Sequence, residues 1–159
     1  KYMGANNLGT VFRAQDQSFA HWIFYRYADF LLLKAEAINE MDQPLEASRI
    51  VKQIRTRANA IDLKIMDRTN KRSMSDYILE ERQRELAFEG KRWYDVLRNA
   101  KRNNYERRQL LLDMASISLP PDRRQAAFNK LQDNNSHYFP VYFYELQTNK
   151  LLAQNPFYK

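Results

Sequence analysis

Apolar residues recur at helical spacing along the first clearly patterned stretch, residues 24–41. One stripe follows spacings of three and four, and a second follows another face of the same helix. A helix that is apolar on two faces is packed on two sides, so we expect neighbouring helices on both. The first stripe comprises Phe24, Ala28, Leu31, Leu32, Ala35 and Ile38, and the second comprises Phe30, Leu33, Ala37 and Met41.

A short break at Asp42-Gln43-Pro44 precedes a second helical pattern, which runs to about residue 59. Proline suits the first turn of a helix, where its missing N–H is not needed. Two helices joined by so short a turn lie antiparallel. We therefore predict a tetratricopeptide-like helical hairpin over residues 22–60, although no second copy with the same period is evident.

A third pattern predicts one long helix over residues 75–99, capped by Ser75 or Asp76. Gly90 lies inside it at a cost of about 1 kcal/mol relative to alanine, which indicates a kink, a break or a close backbone contact. Trp93 lies on the apolar side, and we expect its indole to be buried.

The rest of the chain is less regular. Residues 100–136 indicate only short helical segments, and residues 137–159 combine two prolines with many aromatics, which predicts an extended, packed tail. Only three glycines and five prolines in 159 residues argue against a loop-rich β-sandwich. The pattern predicts an all-α fold, with residues 1–159 as a single region.

Composition excludes several classes. With 44% hydrophobic residues the chain is not disordered, and without cysteine it holds no disulfide scaffold or cysteine nucleophile. No apolar run approaches the roughly 18 residues of a membrane span. A net charge of +7 permits a nucleic acid, an anionic membrane or an acidic ligand as partner.

Basic residues crowd between Lys91 and Arg108, where seven cations accompany two anions. Interleaved aromatic residues would suit a nucleic-acid backbone with stacked bases. Cations near a helix C-terminus are also favoured by the helix dipole, and no recognised nucleic-acid motif accompanies them. A solvated helix end is therefore the better interpretation, with nucleic-acid binding kept as an alternative.

The groups that could act in catalysis are better explained by structural roles. Glu81, Glu85 and Glu89 share one helix face, as a catalytic carboxylate pair would. Arginines three or four residues away make ion pairs the better interpretation; the pairs are Glu80–Arg84, Arg82–Glu85 and Glu89–Arg92. The two histidines, His21 and His137, show no metal-site spacing. We predict no catalytic residue, no metal site and no cofactor, and hence no enzyme.

Two aromatic residues in the loop-like start, Tyr2 and Trp22, are the chemical candidates for ligand binding. An aromatic ring can stack on a sugar ring through apolar burial. Packing in a core is the alternative role for each of them.

Four segments carry distinctive motifs, in this order: residues 26–40 (RYADFLLLKAEAINE), 54–58 (IRTRA), 78–98 (ILEERQRELAFEGKRWYDVLR) and 152–156 (LAQNP). Together they resemble motifs of SusD/RagB proteins. Four residues depart from those motifs: Lys150, Val141 and Tyr142 after Pro140, and Phe157 in place of a usual glycine.

This resemblance implies an α-helical binding protein rather than an enzyme. It implies a Bacteroidota outer-membrane lipoprotein that binds glycans, or peptides, at the cell surface and acts as a lid on a SusC-like TonB-dependent transporter. The chain resembles the C-terminal third of such proteins, so the lipid anchor would lie outside it. A helical-repeat module for protein binding is the alternative, and a nucleic-acid-binding domain is a further one.

Charges embedded in the apolar helices of this pattern are candidates for internal ion pairs. We expect removal of one partner of a buried pair to cost more than removal of both. The five candidates are Arg26, Glu36, Arg55, Glu85 and Arg92.

Overall fold

A computed structural model of the chain describes residues 23–61 and 67–159. Over these ranges the chain forms α-helices and short 3₁₀ turns without a β-strand, which confirms the predicted all-α fold. The 3₁₀ turns are Asn134–His137 and Pro156–Tyr158. The helices are α1 (Tyr27–Glu40), α2 (Pro44–Arg57), α3 (Lys71–Glu85), α4 (Arg92–Tyr105), α5 (Gln109–Ser118), α6 (Pro121–Gln132) and α7 (Phe143–Thr148).

The chain divides into two compact units, Lys1–Ile78 and Leu79–Lys159, and the boundary falls inside α3. Each unit has its own apolar core. The first core contains Leu32, Ala35, Ala47, Ile50, Val51, Ile54, Met74, Tyr77 and Ile78. The second contains Leu79, Val96, Leu97, Ala100 and Leu111. The interpretation of residues 1–159 as a single region stays a prediction.

Helices α1 and α2 pack against each other as the predicted hairpin. Asp42 turns the chain with a φ of +60°, a left-handed conformation that aspartate tolerates better than most residues. Pro44 then occupies the first turn of α2, as predicted.

The second apolar stripe of α1 is largely exposed within the described residues. Phe30 is 59% exposed and Met41 is 68% exposed. The expected cover for this face therefore stays a prediction.

Helix α3 begins earlier than the pattern indicated. Its first residue is Lys71, and the side-chain oxygen of Asn70 accepts a hydrogen bond from the Ser73 N–H at 2.9 Å, as an N-cap does. The predicted caps Ser75 and Asp76 are instead interior residues of the helix.

The predicted long helix over residues 75–99 is wrong, because a turn separates α3 from α4. Phe88 and Gly90 adopt left-handed φ angles of +65° and +71°, which a right-handed helix cannot contain. Of the three explanations for Gly90, a helix break is the one observed.

Helix α4 ends in a kink, where Asn103, Asn104 and Tyr105 have φ angles of +47°, +57° and +65°. Two asparagines suit this conformation, whereas a tyrosine is unusual in it. The kink turns the chain into α5, and Pro121 opens α6.

The tail also departs from prediction. Helix α7 and a 3₁₀ turn interrupt the predicted extended stretch over residues 137–159. Several of its aromatics are exposed rather than packed, including Phe139 at 75% and Tyr142 at 65%.

Candidate functional site

A groove of about 430 Å³ runs along the second unit. Its volume falls within the range of about 300–1,000 Å³ that is typical of small-molecule sites. Helices α4, α5 and α6 supply most of the lining, and the tail closes one side. The lining residues are Trp93, Met114, Ala115, Ser118, Leu119, Ala127, Lys130, Leu131, Ser136, Phe157 and Tyr158.

His137 contacts the lining residue Trp93, and its side chain is buried. Its Nε2 lies 2.9 Å from the Leu131 carbonyl oxygen, and its Nδ1 lies 3.0 Å from the Tyr105 hydroxyl. Because a carbonyl only accepts, Nε2 carries the proton in this geometry and Nδ1 accepts from Tyr105. The imidazole and the Trp93 indole make a T-shaped contact, with 6.4 Å between ring centroids.

Burial lowers the pKa of His137 below its ordinary value of 6.5. The Leu131 carbonyl opposes this shift, because a hydrogen bond from Nε2 favours the charged ring. Among the charges, Arg108 and Lys101 lower the pKa further, whereas Asp133 raises it. The imidazole is therefore held in its neutral form at neutral pH, where it braces Trp93.

The tail side of the groove is fixed by Asn155. Its Nδ2 donates to the carbonyl oxygens of Asn135 and Tyr138 at 2.9 and 3.2 Å. Its Oδ1 accepts from the N–H of Phe157 at 3.1 Å. One amide side chain thus joins the 3₁₀ turn beneath the groove to Phe157 and Tyr158 at its edge.

A second cavity, of about 440 Å³, lies at the turn between α3 and α4. Arg92 lines it and donates from Nη1 to the Leu79 carbonyl oxygen at 2.9 Å. Partial burial lowers the pKa of Arg92, and the nearby Asp95 and Glu80 charges oppose that shift. Phe88 also lines the cavity, although its side chain projects fully into solvent.

A buried ion pair lies between α3 and α4, and the sequence analysis missed it. Arg82 Nε lies 2.8 Å from Asp95 Oδ1, and both side chains are 2% exposed. The half-buried Arg98 reaches the same carboxylate oxygen at 2.9 Å. Asp95 lies among the apolar positions of α4, and that placement was the available signal.

The basic residues between Lys91 and Arg108 are used inside the fold. Arg102 and the buried Arg107 both donate to Asn99 Oδ1, at 3.2 and 3.3 Å. Arg108 donates to the Gln132 carbonyl and to Asn134 Oδ1, at 2.6 and 2.7 Å. These cations brace the end of α4 and the turns near it, which differs from the solvated helix end we had favoured.

Of the helix pairs predicted from spacing, Glu80–Arg84 is present at 3.0 Å. Arg84 also reaches Glu81, at 2.7 Å. Arg82, which spacing had assigned to Glu85, forms an ion pair with Asp95. The pairs Arg82–Glu85 and Glu89–Arg92 stay predictions.

The five candidates for internal ion pairs occupy varied positions. Arg55 is buried, donates to the Ile61 carbonyl oxygen and lies 5.9 Å from the Tyr77 ring centroid. Glu36 is buried in α1, and Arg26 precedes that helix as its N-cap residue. Glu85 is the last residue of α3. Pairing among Arg26, Glu36, Arg55, Glu85 and Arg92 stays a prediction.

The two ligand candidates, Tyr2 and Trp22, lie outside the described residues. Over residues 23–61 and 67–159, no group of three histidine, aspartate or glutamate side chains could hold a metal ion. Across the same ranges, no helix has both the length and the apolar character to cross a membrane.

Comparison with known proteins gives a family match over residues 9–158, to the SusD family. Two similar proteins come from Formosa agariphila. SusD-like protein P38 is 44% identical over 86 residues, which cover 50% of this chain and 17% of that protein. SusD-like protein P2 is 40% identical over 88 residues, which cover 52% of this chain and 17% of that protein. The matched part of the chain is thus a small share of each relative. No solved structure matches the chain.

Proposed function

The chain belongs to the SusD family, and from this we propose that it is part of a nutrient-binding protein of the bacterial cell surface. The protein captures an oligosaccharide, with a peptide as the alternative ligand, and delivers it to a SusC-like TonB-dependent transporter. The family match over residues 9–158 carries this proposal. The four motif segments at residues 26–40, 54–58, 78–98 and 152–156 support it.

The proposed location is the outer membrane of a Bacteroidota-type cell, facing outward. A lipid anchor outside this chain attaches the protein. The chain itself corresponds to the C-terminal third of the protein, and Tyr2 and Trp22 contribute to the ligand site.

Binding without chemical conversion agrees with the lining of the groove in the second unit. Its lining residues include one charged side chain, Lys130, and neither a carboxylate nor a histidine. General acid–base catalysis needs a group that titrates near the operating pH, and a lone exposed ammonium is a poor candidate. Aromatic and hydroxyl groups suit capture by stacking and hydrogen bonds.

The test is made in the native organism. A tagged full-length protein should co-purify from outer membranes with a large transporter barrel, and its deletion should impair uptake of one oligomeric nutrient while uptake of the monomer continues. Equal uptake of oligomer by deletion and parent strains, with no barrel recovered, would contradict the proposal.

A protein-binding helical module is the second candidate. The exposed stripe of α1, with Phe30 and Met41, favours it, because a large exposed apolar patch often marks a protein contact. Recovery of one defined soluble protein partner and no glycan would support it. Purification from the cytosol with RNA that high salt releases would instead favour nucleic-acid binding.

A further inference from the structure

Lys130 is the single charged side chain among the residues that line the groove of the second unit. It lies in the last turn of α6 and is exposed. Within the described part of the chain, its Nζ makes no hydrogen bond or ion pair. The groove therefore presents one uncompensated positive charge beside an apolar floor.

Three other polar groups of the lining are similarly available. The Trp93 indole N–H, the Ser118 hydroxyl and the Tyr158 hydroxyl have no protein partner over residues 23–61 and 67–159. Together with Lys130 they offer four donors around a floor of alanine, leucine and methionine. A ligand that fits has an apolar face, several hydroxyls at its edge and one acidic group.

We propose that this groove binds an acidic sugar, a uronate residue of an oligosaccharide, with its carboxylate on Lys130 and its ring against Trp93 and Tyr158. The inference rests on the proposed function, since it names the substrate class of a glycan-binding protein. A pyranose ring has an apolar C–H face and hydroxylated edges, and an ammonium–carboxylate hydrogen bond is stronger than a neutral one.

The aromatic walls are held in place before any ligand arrives. Neutral His137 packs its ring against Trp93, and Asn155 fixes the turn that carries Phe157 and Tyr158. The rings of Phe157 and Tyr158 contact edge to face, with centroids 5.1 Å apart. A preorganised wall lowers the entropy that binding would otherwise cost.

The experiment uses the full-length protein and calorimetric titration with three probes: tetragalacturonate, its fully methyl-esterified form and galactotetraose. Only the first carries carboxylates. Lys130→Gln should weaken the binding of tetragalacturonate about tenfold, because one charge-assisted hydrogen bond is lost. The affinity for the methyl ester should not change. Lys150→Gln, which changes an exposed lysine that does not line the groove, should leave all three affinities unchanged.

A second variant tests the stacking face. Tyr158→Ala should weaken the binding of tetragalacturonate and of its methyl ester by the same factor, about threefold to tenfold. Tyr142→Ala, an exposed aromatic in the same unit that does not line the groove, is its control and should change neither affinity. Circular dichroism and melting of each variant establish that it is folded.

Four outcomes would overturn the inference. Equal affinity for tetragalacturonate and its methyl ester would show that charge has no role in binding. Tight binding of galactotetraose that is unchanged in Lys130→Gln would show the same, while still supporting the proposed function. A groove that hydroxyl-radical footprinting finds protected at Met114 and Tyr158 in the ligand-free protein would be closed to any sugar. Failure of all glycan binding, with normal oligomer uptake after gene deletion, would overturn the proposed function as well.

Discussion

At the scale of single residues, one group of buried charges is centred on Asp95. Its carboxylate forms an ion pair with Arg82 and accepts a hydrogen bond from Arg98, and its Oδ2 makes no hydrogen bond within the described residues. A buried ion pair contributes little net stability, but the loss of one partner leaves an uncompensated charge. Asp95 therefore makes α4 sensitive to substitution at one position.

Asp95→Leu should lower the free energy of unfolding by about 3–5 kcal/mol, because it removes one partner of the buried Arg82–Asp95 ion pair. The double variant Arg82→Met, Asp95→Leu should lose less than this single variant. Urea unfolding measures both. Arg49→Gln removes an exposed ion pair with Glu46 and serves as the control, with an expected loss below about 1 kcal/mol. A single variant as stable as the parent chain would contradict the prediction.

Stability should also depend on pH through His137. Its folded pKa lies below the ordinary value of 6.5 because of burial, so the unfolded chain takes up the proton first as pH falls. The contribution is complete above pH 6.5 and is lost as the pH falls from there towards the folded pKa. Urea unfolding at pH 7.5 and 5.5 measures this effect. The free energy of unfolding should fall less between these two pH values for His137→Gln than for the parent chain.

Tyr105→Phe is the companion variant for this pH test, because it removes the hydroxyl that faces Nδ1 and keeps the titrating ring. It should retain the pH dependence at a lower overall stability. Equal pH dependence in the parent chain and His137→Gln would show that other groups cause it.

Sequence spacing located some of these residue contacts and not others. Glu80–Arg84 was predictable because residues four apart meet on one helix face. Arg82 and Asp95 are thirteen positions apart and lie on different helices, so no local period relates them. His137 could be predicted to be structural, but its partners Tyr105 and Leu131 depend on how the turns fold.

At the scale of elements, the turn between α3 and α4 contains two residues with left-handed φ angles, Phe88 and Gly90. Glycine favours this conformation, whereas phenylalanine does not. Gly90 adopts such a φ without penalty, whereas Phe88 has a bulky side chain and is fully exposed. The apolar period continues through residues 85–93, and a phenylalanine at position 88 gives no signal of a turn. That is why the sequence predicted one helix over this stretch.

Opposite substitutions in this turn should have opposite effects. Gly90→Ala should lower stability by about 1–2 kcal/mol, since a Cβ is strained at positive φ although no atom lies within 4 Å of its position. Phe88→Gly should be neutral or stabilising, because it relieves the same strain and loses no packing. Thermal melts of the 159-residue chain compare the two. A destabilising Phe88→Gly would show that the ring is packed.

At the scale of the whole molecule, the apolar residues form two cores within one chain. Leu32 belongs to the first and Leu111 to the second, and both are fully buried. The hairpin of α1 and α2 was predictable from the local apolar period, and the all-α fold was predictable from that period and from the family resemblance. The groove was not, because its lining comes from positions 93–158, which only the fold brings together. The Trp93 indole, which was expected to be buried, is half-buried: it packs against the second core and also lines the groove.

Each core should be sensitive to truncation. Leu32→Ala and Leu111→Ala should each lower the free energy of unfolding by about 2–5 kcal/mol, the range for deleting a buried leucine side chain. Hydrogen exchange should become faster in the unit that carries the substitution. Leu151→Ala, at a position 95% exposed, is the matched control. A core variant that behaves like this control would mean that the leucine is not packed.

The contact between Trp93 and His137 gives the protein an internal optical reporter. A protonated imidazole beside an indole quenches its emission, and an occupant of the groove would shift the emission wavelength. The 159-residue chain has two tryptophans, so in that chain Trp22→Phe leaves Trp93 as the single emitter. One cuvette titration could then follow both the protonation of His137 and the filling of the groove, without any attached dye.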